Sequence, residues 1–391
     1  MNRPAFELAD IVRAQGHRFL NQYGSVINYQ QLKALRAIRN CRTAALGHHV
    51  DACPKCGHAA QSFNSCRNRN CPKCQAGNRR RWIESRKREV LGVEYFHVVF
   101  TVPSKLNALA LQNQRLFYSL LFQASAATLL EVAANPKHLG AKIGFVSILH
   151  TWGQNLLEHP HAHCLIPQGG ISQDSKRWVH SRRRFFLPKK VLGRVFRGKL
   201  VDGLRRLYRK KKLKLAGTLA YLNDPKQFAE FIRRLHRHEW VIDVRPALGG
   251  AEQVIKYLGR YTHRVAISNH RLMNFDGEKV TFLWKDYAHD GIWKEMTLDA
   301  TEFLRRFILH VLPKGFVRIR FYGFLANRFR AKCLKLCREL LSADTSESED
   351  HNPDPLPEPS AWLCPHCGTR MLIVQRFSPA QWSSRGSFIE N

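Results

Sequence analysis

The pattern of hydrophobic and polar positions predicts a chain of mixed α and β structure. Residues 95–103 (YFHVVFTVP) have the β-branched and aromatic content of a buried strand that ends at a proline. The long apolar stretch from 104 to about 134 predicts helix. Residues 142–150 and 159–166 predict two strands of one sheet, and a pair of glycines follows the second strand.

The chain is long enough for more than one domain, and composition divides it into four segments. The first segment, residues 1–92, contains a predicted helix around 30–40, a cysteine cluster and a basic helix over 78–91. The third segment, residues 342–360, carries six Asp or Glu residues, four prolines and no Lys or Arg, which predicts a flexible linker. The four segments are a cysteine-rich unit (1–92), a mixed α and β unit (94–335), an acidic linker (342–360) and a tail with one Cys-x-x-Cys (361–391).

The charge of the chain is strongly positive. Its 391 residues include 63 Lys or Arg and 30 Asp or Glu, so the formal net charge is +33, and the sequence pI is about 10.2. A globular chain of this charge predicts a polyanionic partner, most often nucleic acid. An anionic membrane surface is the alternative, but neither terminus shows a basic amphipathic helix with a lipid-facing stripe.

The sequence predicts a cytoplasmic protein. No apolar run reaches the length of a membrane span, about eighteen residues. The first residues lack the apolar core of a secretion signal. Because thiols stay reduced in the cytoplasm, the 11 cysteines are expected to be metal ligands or buried residues rather than disulfides.

Residues 176–214 combine many Lys and Arg residues with interleaved aromatic residues. The aromatic residues are Trp178, Phe185, Phe186, Phe196 and Tyr208. A groove for single-stranded nucleic acid uses such residues to hold phosphates and to stack bases. A basic face exposed to solvent is the alternative. With the charge of the whole chain, the pattern predicts that at least one of these basic clusters contacts nucleic acid.

Two Cys-x-x-Cys pairs in the first unit predict a structural zinc site. Cys53 and Cys56 form one pair, Cys71 and Cys74 form the other, and fourteen residues separate the pairs. Each pair presents two thiolates on one tight turn, so two turns complete a tetrahedral Zn²⁺ site. The basic helix that follows is predicted to contact DNA phosphates through Arg80, Arg81 and Arg86.

Several other metal-ligand residues have roles that the spacing leaves open. Four of them precede or separate the two pairs and form either a second site or a replacement ligand for the first: Cys41, His48, His49 and Cys66. Cys364 and Cys367 near the C-terminus are half a site. They bind metal with His366, bind metal with another part of the chain, or form a turn without metal.

Three histidines alternate with other residues directly before a buried apolar run. In an extended strand, side chains two residues apart point to the same face, so His159, His161 and His163 stand in a row. Imidazoles at this spacing suit a shared divalent cation. The alternative is a set of surface or core histidines without metal.

Tyr257 and Tyr261 lie four residues apart, so on a helix both hydroxyls emerge from one face. Packing is the commoner role of such a pair. A tyrosine hydroxyl is also a competent nucleophile at phosphorus where a metal polarises the phosphate and cations neutralise the developing charge. Arg260 and Arg264 belong to the same turns and are candidate DNA-binding residues.

Together these motifs resemble the two-tyrosine rolling-circle transposases of the HUH superfamily, the type carried by the insertion-sequence ninety-one family. The resemblance covers nearly the whole chain. It rests on CRTAALG at 41–47, SCRNRNCPKC at 65–74, HPHAHCL at 159–165, YLGRYTHRVAIS at 257–268 and HVLPKGFVRIR at 310–320. It implies an α+β fold in which a zinc-binding, DNA-recognition module (1–92) precedes a HUH nuclease domain (94–335), an antiparallel sheet with flanking helices.

The resemblance also implies roles for individual residues. His161 and His163 would bind a catalytic Mg²⁺ or Mn²⁺ on a central strand, and Tyr257 and Tyr261 would lie on a facing helix. One tyrosine would attack a single-stranded DNA phosphate, leaving a 5′-phosphotyrosine and a free 3′-OH, and the other would act in later strand transfer. Such enzymes need a third ligand. Gln154 is expected, because a hairpin would bring it across from His161, and His159 is the second choice.

Two other functions are compatible with these residues. A plasmid relaxase or replication initiator uses the same chemistry, but the zinc module joined to the tyrosine pair favours a transposase. A zinc-containing DNA-binding protein without catalysis is the other, and the intact histidine and tyrosine pairs speak against it. The predicted partner is DNA, as single-stranded element ends and target, and the predicted location is the bacterial cytoplasm, with function at the nucleoid.

Overall fold

A computed structural model of the chain describes residues 4–182, 186–247, 254, 259, 265–287, 289–343 and 362–379. The described helices are α1 (Leu8–Tyr23), α2 (Tyr29–Arg39), α3 (Pro72–Lys87), α4 (Asn107–Gln112), α5 (Gln114–Ala134), α6 (Lys189–Arg209), α7 (Pro225–His236), α8 (Ala300–Leu309) and α9 (Arg330–Ala343). The described strands are β1 (His48–Ala52), β2 (Ala59–Phe63), β3 (Tyr95–Thr101), β4 (Ala141–Lys142), β5 (Gly144–Trp152), β6 (Glu158–Pro167), β7 (Gly170–Ser172), β8 (Trp178–Val179), β9 (Ile242–Ala247), β10 (Leu272–Phe275), β11 (Lys279–Asp286), β12 (Ile292–Asp299), β13 (Ile319–Gly323) and β14 (Leu372–Phe377).

These elements confirm the α+β class, and the differences from the predicted boundaries have local causes. Strands β3, β5 and β6 match the three predicted strands closely. The predicted helix over 104–134 is divided at Asn113, whose backbone has non-helical angles (φ −126°, ψ 36°) and whose side chain exchanges two hydrogen bonds with the backbone of Lys214. Helix α3 begins at Pro72, earlier than predicted, because proline suits the first turn of a helix.

The centre of the fold is a five-stranded antiparallel sheet with the order β13-β5-β6-β3-β9. Alternate residues of its strands face the largest apolar core, in which α5 and α6 pack together. By length and composition α5 is apolar enough to cross a membrane, but 67% of its most apolar stretch is buried inside the protein. Helix α5 is therefore accounted for as a core helix.

The opposite face of this sheet carries the histidines, and we call it the histidine face. Here Tyr95, Val146, Ile148 and Leu165 form a small apolar cluster with Val254. Trp82 of α3 packs against the same cluster. Helix α3 therefore connects the cysteine-rich region to the histidine face.

The two N-terminal helices share a core with a later part of the chain. Helices α1 and α2 pack against α8 and against the three-stranded sheet β10-β11-β12. Asn28 caps α2 by accepting hydrogen bonds from the backbone N–H groups of Gln30 and Gln31. The side chain of Gln31 in turn donates to the carbonyl of Ile308 in α8. Helices α1 and α2 therefore bury their apolar faces against residues 265–311.

The C-terminal strand β14 joins the cysteine-rich hairpin. It pairs antiparallel with β1, which also pairs with β2, so the sheet order is β14-β1-β2. A further small sheet has the order β4-β7-β8. Most of the predicted acidic linker, from residue 344 onward, lies outside the described residues.

Candidate metal centres and nucleic-acid interface

Three histidines come together on the histidine face. His161 and His163 are two residues apart on β6, and His150 of β5 is paired directly with His161. One ligand nitrogen from each ring lies within 4.8 Å of the others. The ring centroids of His150 and His163 are 4.6 Å apart, and those of His161 and His163 are 4.7 Å apart. This arrangement offers three imidazoles to one cation.

The geometry differs from the predicted ligand set at its third position. Gln154 was expected across from His161, but this is wrong, because the strand register puts His150 there and Gln154 in the turn after β5. Among the described residues, the group of three does not include His159. Its backbone carbonyl instead accepts a hydrogen bond from Nδ1 of His161.

The turn that carries Gln154 is held by residues outside the sheet. Arg271 donates to the carbonyl of Gln154, and Arg306 of α8 donates to the carbonyl of Asn155. His310, from one of the motifs that carry the resemblance, bonds through Nε2 to the carbonyl of Leu156 at 2.9 Å. Burial lowers the pKa of His310 to about 4, so this ring is neutral and structural.

A fourth histidine, His97 of β3, supports the group of three. Its Nε2 lies 2.8 Å from Nδ1 of His163, and the two rings stack with an interplanar angle of 11°. Burial lowers the pKa of His97 to about 4, so at neutral pH its unprotonated nitrogen is able to accept a hydrogen bond. In that tautomer Nδ1 of His163 donates and Nε2 remains available as a metal ligand. In His161, Nδ1 likewise donates a hydrogen bond, to the carbonyl of His159.

Sequence reasoning missed His97 and His150 as site residues. Both lie inside predicted strands, in which successive side chains alternate between the two faces. The missing information was the register between strands, since His150 is opposite His161 only through the pairing of β5 with β6.

Eight of the described cysteines form two groups of four, whereas the spacing predicted one site and left the roles of Cys41 and Cys66 open; these two replace Cys53 and Cys56 as partners of Cys71 and Cys74. The first group is Cys41, Cys66, Cys71 and Cys74. Cys41 Sγ lies 3.5 Å from Cys74 Sγ, and Cys66 Sγ lies 3.6 Å from Cys74 Sγ. Cys71 precedes α3 and Cys74 is in its first turn, so the helix start fixes two of the ligands. Spacings of this size fit a tetrahedral zinc site.

The second group joins the two ends of the described chain. It consists of Cys53, Cys56, Cys364 and Cys367. The prediction that Cys53 and Cys56 share one site with Cys71 and Cys74 is therefore wrong. Each pair instead completes its group with two other cysteines. Among the alternatives for Cys364 and Cys367, the structure supports a site shared with another part of the chain.

The predicted nucleophiles lie outside the described residues. This applies to Tyr257 and Tyr261 and to the predicted DNA-binding residues Arg260 and Arg264. Two residues of the same segment are described. Val254 is buried on the histidine face, and a side chain at Gly259 would contact Ile83 and Arg79 of α3.

The predicted DNA-binding residues of α3 have different environments. Arg80 and Arg81 are exposed. Arg86 donates to both carboxylate oxygens of Glu89, at 2.7 and 2.8 Å, and its guanidinium lies over the ring of Phe321. Arg86 is therefore held within the protein.

The described aromatic residues of the basic region 176–214 have mostly structural roles, and Phe185 lies outside the described residues. Trp178, Phe186 and Phe196 are at most 4% exposed and belong to apolar cores. Tyr208 stacks on Phe228 at 3.7 Å between ring centroids. The predicted base-stacking role is therefore wrong for Trp178, Phe186 and Phe196, whereas Tyr208 is partly exposed. The basic residues 209–212 are exposed, which fits the alternative of a solvated basic face.

Comparison with known protein families defines the class of this protein. Residues 11–102 match a family model described as a transposase zinc-binding domain, and residues 144–333 match one described as a putative transposase. The protein is a transposase with an N-terminal zinc-binding domain. It belongs to the insertion-sequence ninety-one (IS91) family.

Two relatives are similar over most of their length. The putative transposase y4qJ of Sinorhizobium fredii (strain NBRC 101917 / NGR234) is 47% identical over 382 residues, which are 96% of this chain and 96% of that protein. The transposase for insertion sequence element IS801 of Pseudomonas savastanoi pv. phaseolicola is 28% identical over 366 residues, covering 86% of this chain and 82% of that protein. No solved structure matches the chain.

Proposed function

We propose that this transposase cleaves and rejoins single-stranded DNA at the ends of its element through a 5′-phosphotyrosine intermediate. The observation that carries the proposal is the group of His150, His161 and His163 on the histidine face. Val254, which is packed on that same face, lies three residues before Tyr257.

Chain connectivity supports a tyrosine near the histidines. Val254 contacts the cluster that contains Ile148, the residue paired with His163. A chain advances at most about 3.6 Å per residue, so the Cα atom of Tyr257 lies within about 11 Å of that of Val254. Gly259, two residues after Tyr257, is close to α3. Val254 and Gly259, the described residues on either side of Tyr257, therefore lie against the histidine face and α3.

The donor set fits a catalytic divalent cation. His150, His161 and His163 would hold it through three imidazole nitrogens, and we infer Mn²⁺ rather than Mg²⁺, because Mg²⁺ prefers oxygen ligands. A bound cation would polarise the scissile phosphate and offset the charge that develops there. The histidines supply the position, and His97 holds the ring of His163 in the tautomer that leaves Nε2 available.

The proposed cleavage is a displacement at phosphorus. The hydroxyl oxygen of Tyr257 or Tyr261 forms a bond to the phosphorus and loses its proton, and the P–O3′ bond breaks. The departing 3′ oxygen takes up a proton and becomes a free 3′-OH. Rejoining is the reverse attack by a 3′-OH, which releases the tyrosine. Arg260 and Arg264 are proposed to neutralise the phosphate charge.

The partners follow from the same chemistry. The proposed substrate is single-stranded DNA of the element ends and of the target, and the net charge of +33 favours binding to its phosphates. We propose that the protein acts in the bacterial cytoplasm, where that DNA is found.

A covalent-adduct assay tests the proposal. The protein is incubated with Mn²⁺ and a labelled oligonucleotide from an element end, and the products are separated on a denaturing gel. The wild type and the control variant Tyr221→Phe, at a half-exposed position, are expected to form a labelled protein band. The double variant Tyr257→Phe, Tyr261→Phe is expected to form none.

Two results would contradict the proposal. An adduct that persists in the double variant would exclude these tyrosines as nucleophiles. No adduct from the wild type, with normal DNA binding, would instead support the zinc-containing DNA-binding protein. A second pair of variants separates the metal site from folding: His161→Ala is expected to lose cleavage and keep DNA binding, while the exposed control His138→Ala keeps both.

A further inference from the structure

Two turns at opposite ends of the described chain have the same construction. Both follow the pattern Cys-Pro-x-Cys-Gly, at 53–57 and at 364–368. In the first, the N–H of Gly57 donates to the carbonyl of Cys53 at 3.0 Å. In the second, the N–H of Gly368 donates to the carbonyl of Cys364 at 2.9 Å. The two glycines have φ angles of +72° and +70°, values that favour glycine.

A second pair of hydrogen bonds extends the match. The N–H of Cys53 donates to the carbonyl of His58, and the N–H of Cys364 donates to the carbonyl of Thr369, both at 2.8 Å. Each turn therefore presents its two sulfur atoms in the same way. Such a turn supplies half of a tetrahedral zinc site.

The two turns face each other, and their sulfur atoms interleave. Cys53 Sγ lies 3.4 Å from Cys367 Sγ, and Cys56 Sγ lies 3.5 Å from Cys364 Sγ. A third contact, between the sulfur atoms of Cys56 and Cys367, is 3.6 Å. Zinc–sulfur bonds of about 2.3 Å in a tetrahedron put sulfur atoms about 3.8 Å apart, so a small outward movement accommodates the ion.

We propose that Cys53, Cys56, Cys364 and Cys367 bind a second structural zinc ion, which fastens the C-terminal segment 362–379 to the N-terminal hairpin. The matched zinc-binding domain covers residues 11–102 and so includes only two of these ligands. The other two come from a segment 308 residues further along the chain.

The packing of this segment explains why an ion is needed. All six residues of β14 are exposed, and the apolar cluster around the turns contains three buried residues, Cys53, Cys364 and Met371. Burial of so few apolar groups does not offset the conformational entropy that is lost when eighteen residues become ordered. Pairing of β14 with one neighbour, β1, adds backbone hydrogen bonds. A metal that binds only the assembled site supplies the remaining stabilisation.

Counting bound zinc tests the proposal. The full-length protein is purified in reducing buffer, and its zinc is measured by elemental analysis and by release with a mercurial reagent into a chromogenic chelator. The wild type is expected to hold about two ions per chain, one for each group of four cysteines. Cys364→Ser, Cys367→Ser is expected to hold about one, and the control Cys333→Ser, outside both groups, about two.

The same zinc count distinguishes the two sites, and a second pair of substitutions keeps the proposal testable if the first variant folds poorly. Cys53→Ser, Cys56→Ser is expected to hold one ion, and combining it with Cys364→Ser, Cys367→Ser should cause no further loss, because all four residues serve one site. One ion in the wild type, or two in the variant lacking Cys364 and Cys367, would overturn the proposal. Loss of four free thiols without bound metal would overturn it in favour of two disulfides.

A second measurement asks whether the ion fastens the tail. A cleavage site for a specific protease is inserted between residues 350 and 354 of the full chain. After cleavage, the C-terminal fragment is expected to co-elute with the rest of the protein in size-exclusion chromatography and to separate when a chelator is added. In Cys364→Ser, Cys367→Ser it should separate without chelator. A fragment that stays bound in that variant would contradict the fastening role.

Discussion

His97 and His163 lie on neighbouring strands with their ring nitrogens 2.8 Å apart and their rings stacked. Only one of these two residues belongs to the group of three that would bind metal. The other sets the orientation and tautomer of its neighbour. This relationship separates the ligands of the site from the residue that supports them, and the two kinds of residue should respond differently to substitution.

Replacing His97 should weaken metal binding without removing the metal site. His97→Ala leaves Nδ1 of His163 without this acceptor, and loss of such a partner typically costs about 10–100-fold in metal affinity. The expected result is a higher Mn²⁺ concentration for half-maximal cleavage, with the rate restored at saturating Mn²⁺. His97→Gln, which keeps an acceptor, should recover part of the affinity. An equal loss of cleavage at every Mn²⁺ concentration would show that His97 acts in another way.

The identity of the third ligand can be tested by comparing two neighbours in sequence. His150→Ala should abolish detectable Mn²⁺ binding by calorimetry or by electron paramagnetic resonance, because it removes one of three nitrogens. Gln154→Ala should leave Mn²⁺ binding within about twofold, because Gln154 lies in the turn after β5 rather than across from His161. The opposite order of effects would restore Gln154 as the ligand.

The two cysteine groups should contribute unequally to stability. Cys66 shares its group with Cys41, Cys71 and Cys74, and these three residues belong to the core shared by α1, α2 and α8. Cys66→Ser should therefore disturb that core and lower the free energy of unfolding by about 3 kcal/mol or more. Cys364→Ser should affect mainly the tail and shift the main thermal transition much less. Calorimetry of both variants, with and without chelator, gives the comparison. Equal shifts would mean that the tail is part of the same cooperative unit.

Gly47 gives a way to displace the tail without touching a cysteine. A Cβ atom at Gly47 would lie 2.4 Å from the backbone oxygen of Phe377 and 2.9 Å from the backbone nitrogen of Pro379. Gly47→Ala should therefore push the tail away and make the second zinc easier to remove with a chelator. Gly315→Ala is the control, because Gly315 has a φ of +71° and open space around it. If both variants retain zinc like the wild type, the tail has room to adjust.

The contrast between Arg80 and Arg86 tests the proposed DNA-binding helix. Arg80 is exposed, so Arg80→Ala should weaken DNA binding for all sequences and reduce the slope of log K against log salt by about one, as for the loss of one phosphate contact. Arg86→Ala should change that slope little, because Glu89 already holds its guanidinium. Anisotropy titrations at several salt concentrations measure both slopes. An unchanged slope for Arg80→Ala would exclude a phosphate contact there.

Local patterns predicted much of this molecule because they depend on few neighbours. The spacing of His161 and His163 places them on one face of any strand, whatever the strand pairs with. In the same way, the composition of residues 95–101 identified β3 without knowledge of its partners. The basic helix was also identified, although it begins at Pro72 rather than at 78, because proline suits the first turn of a helix.

The errors concern relationships across the chain. Nothing local to Cys56 shows that Cys364, rather than Cys71, lies beside it, since both are halves of good sites. Gln154 was misplaced because β5 ends at Trp152, so the turn begins earlier than a pairing of Gln154 with His161 would require, and this brings His150 across from His161. Trp178 and Phe196 were predicted to stack bases because they occur among basic residues. Both are buried instead, because residues distant in the sequence pack against them.

The sheet of β14, β1 and β2 has a consequence for how the protein is made. Cys56 leaves the ribosome 308 residues before Cys364 does, which at about 5–20 residues per second is a delay of about 15–60 s. During that time the sheet of β1 and β2 lacks its third strand, and the cysteine group lacks the two sulfur atoms of Cys364 and Cys367. In every new chain the N-terminal hairpin therefore stays without these partners until the tail is synthesised, and a chain halted before residue 364 would never complete the cysteine group.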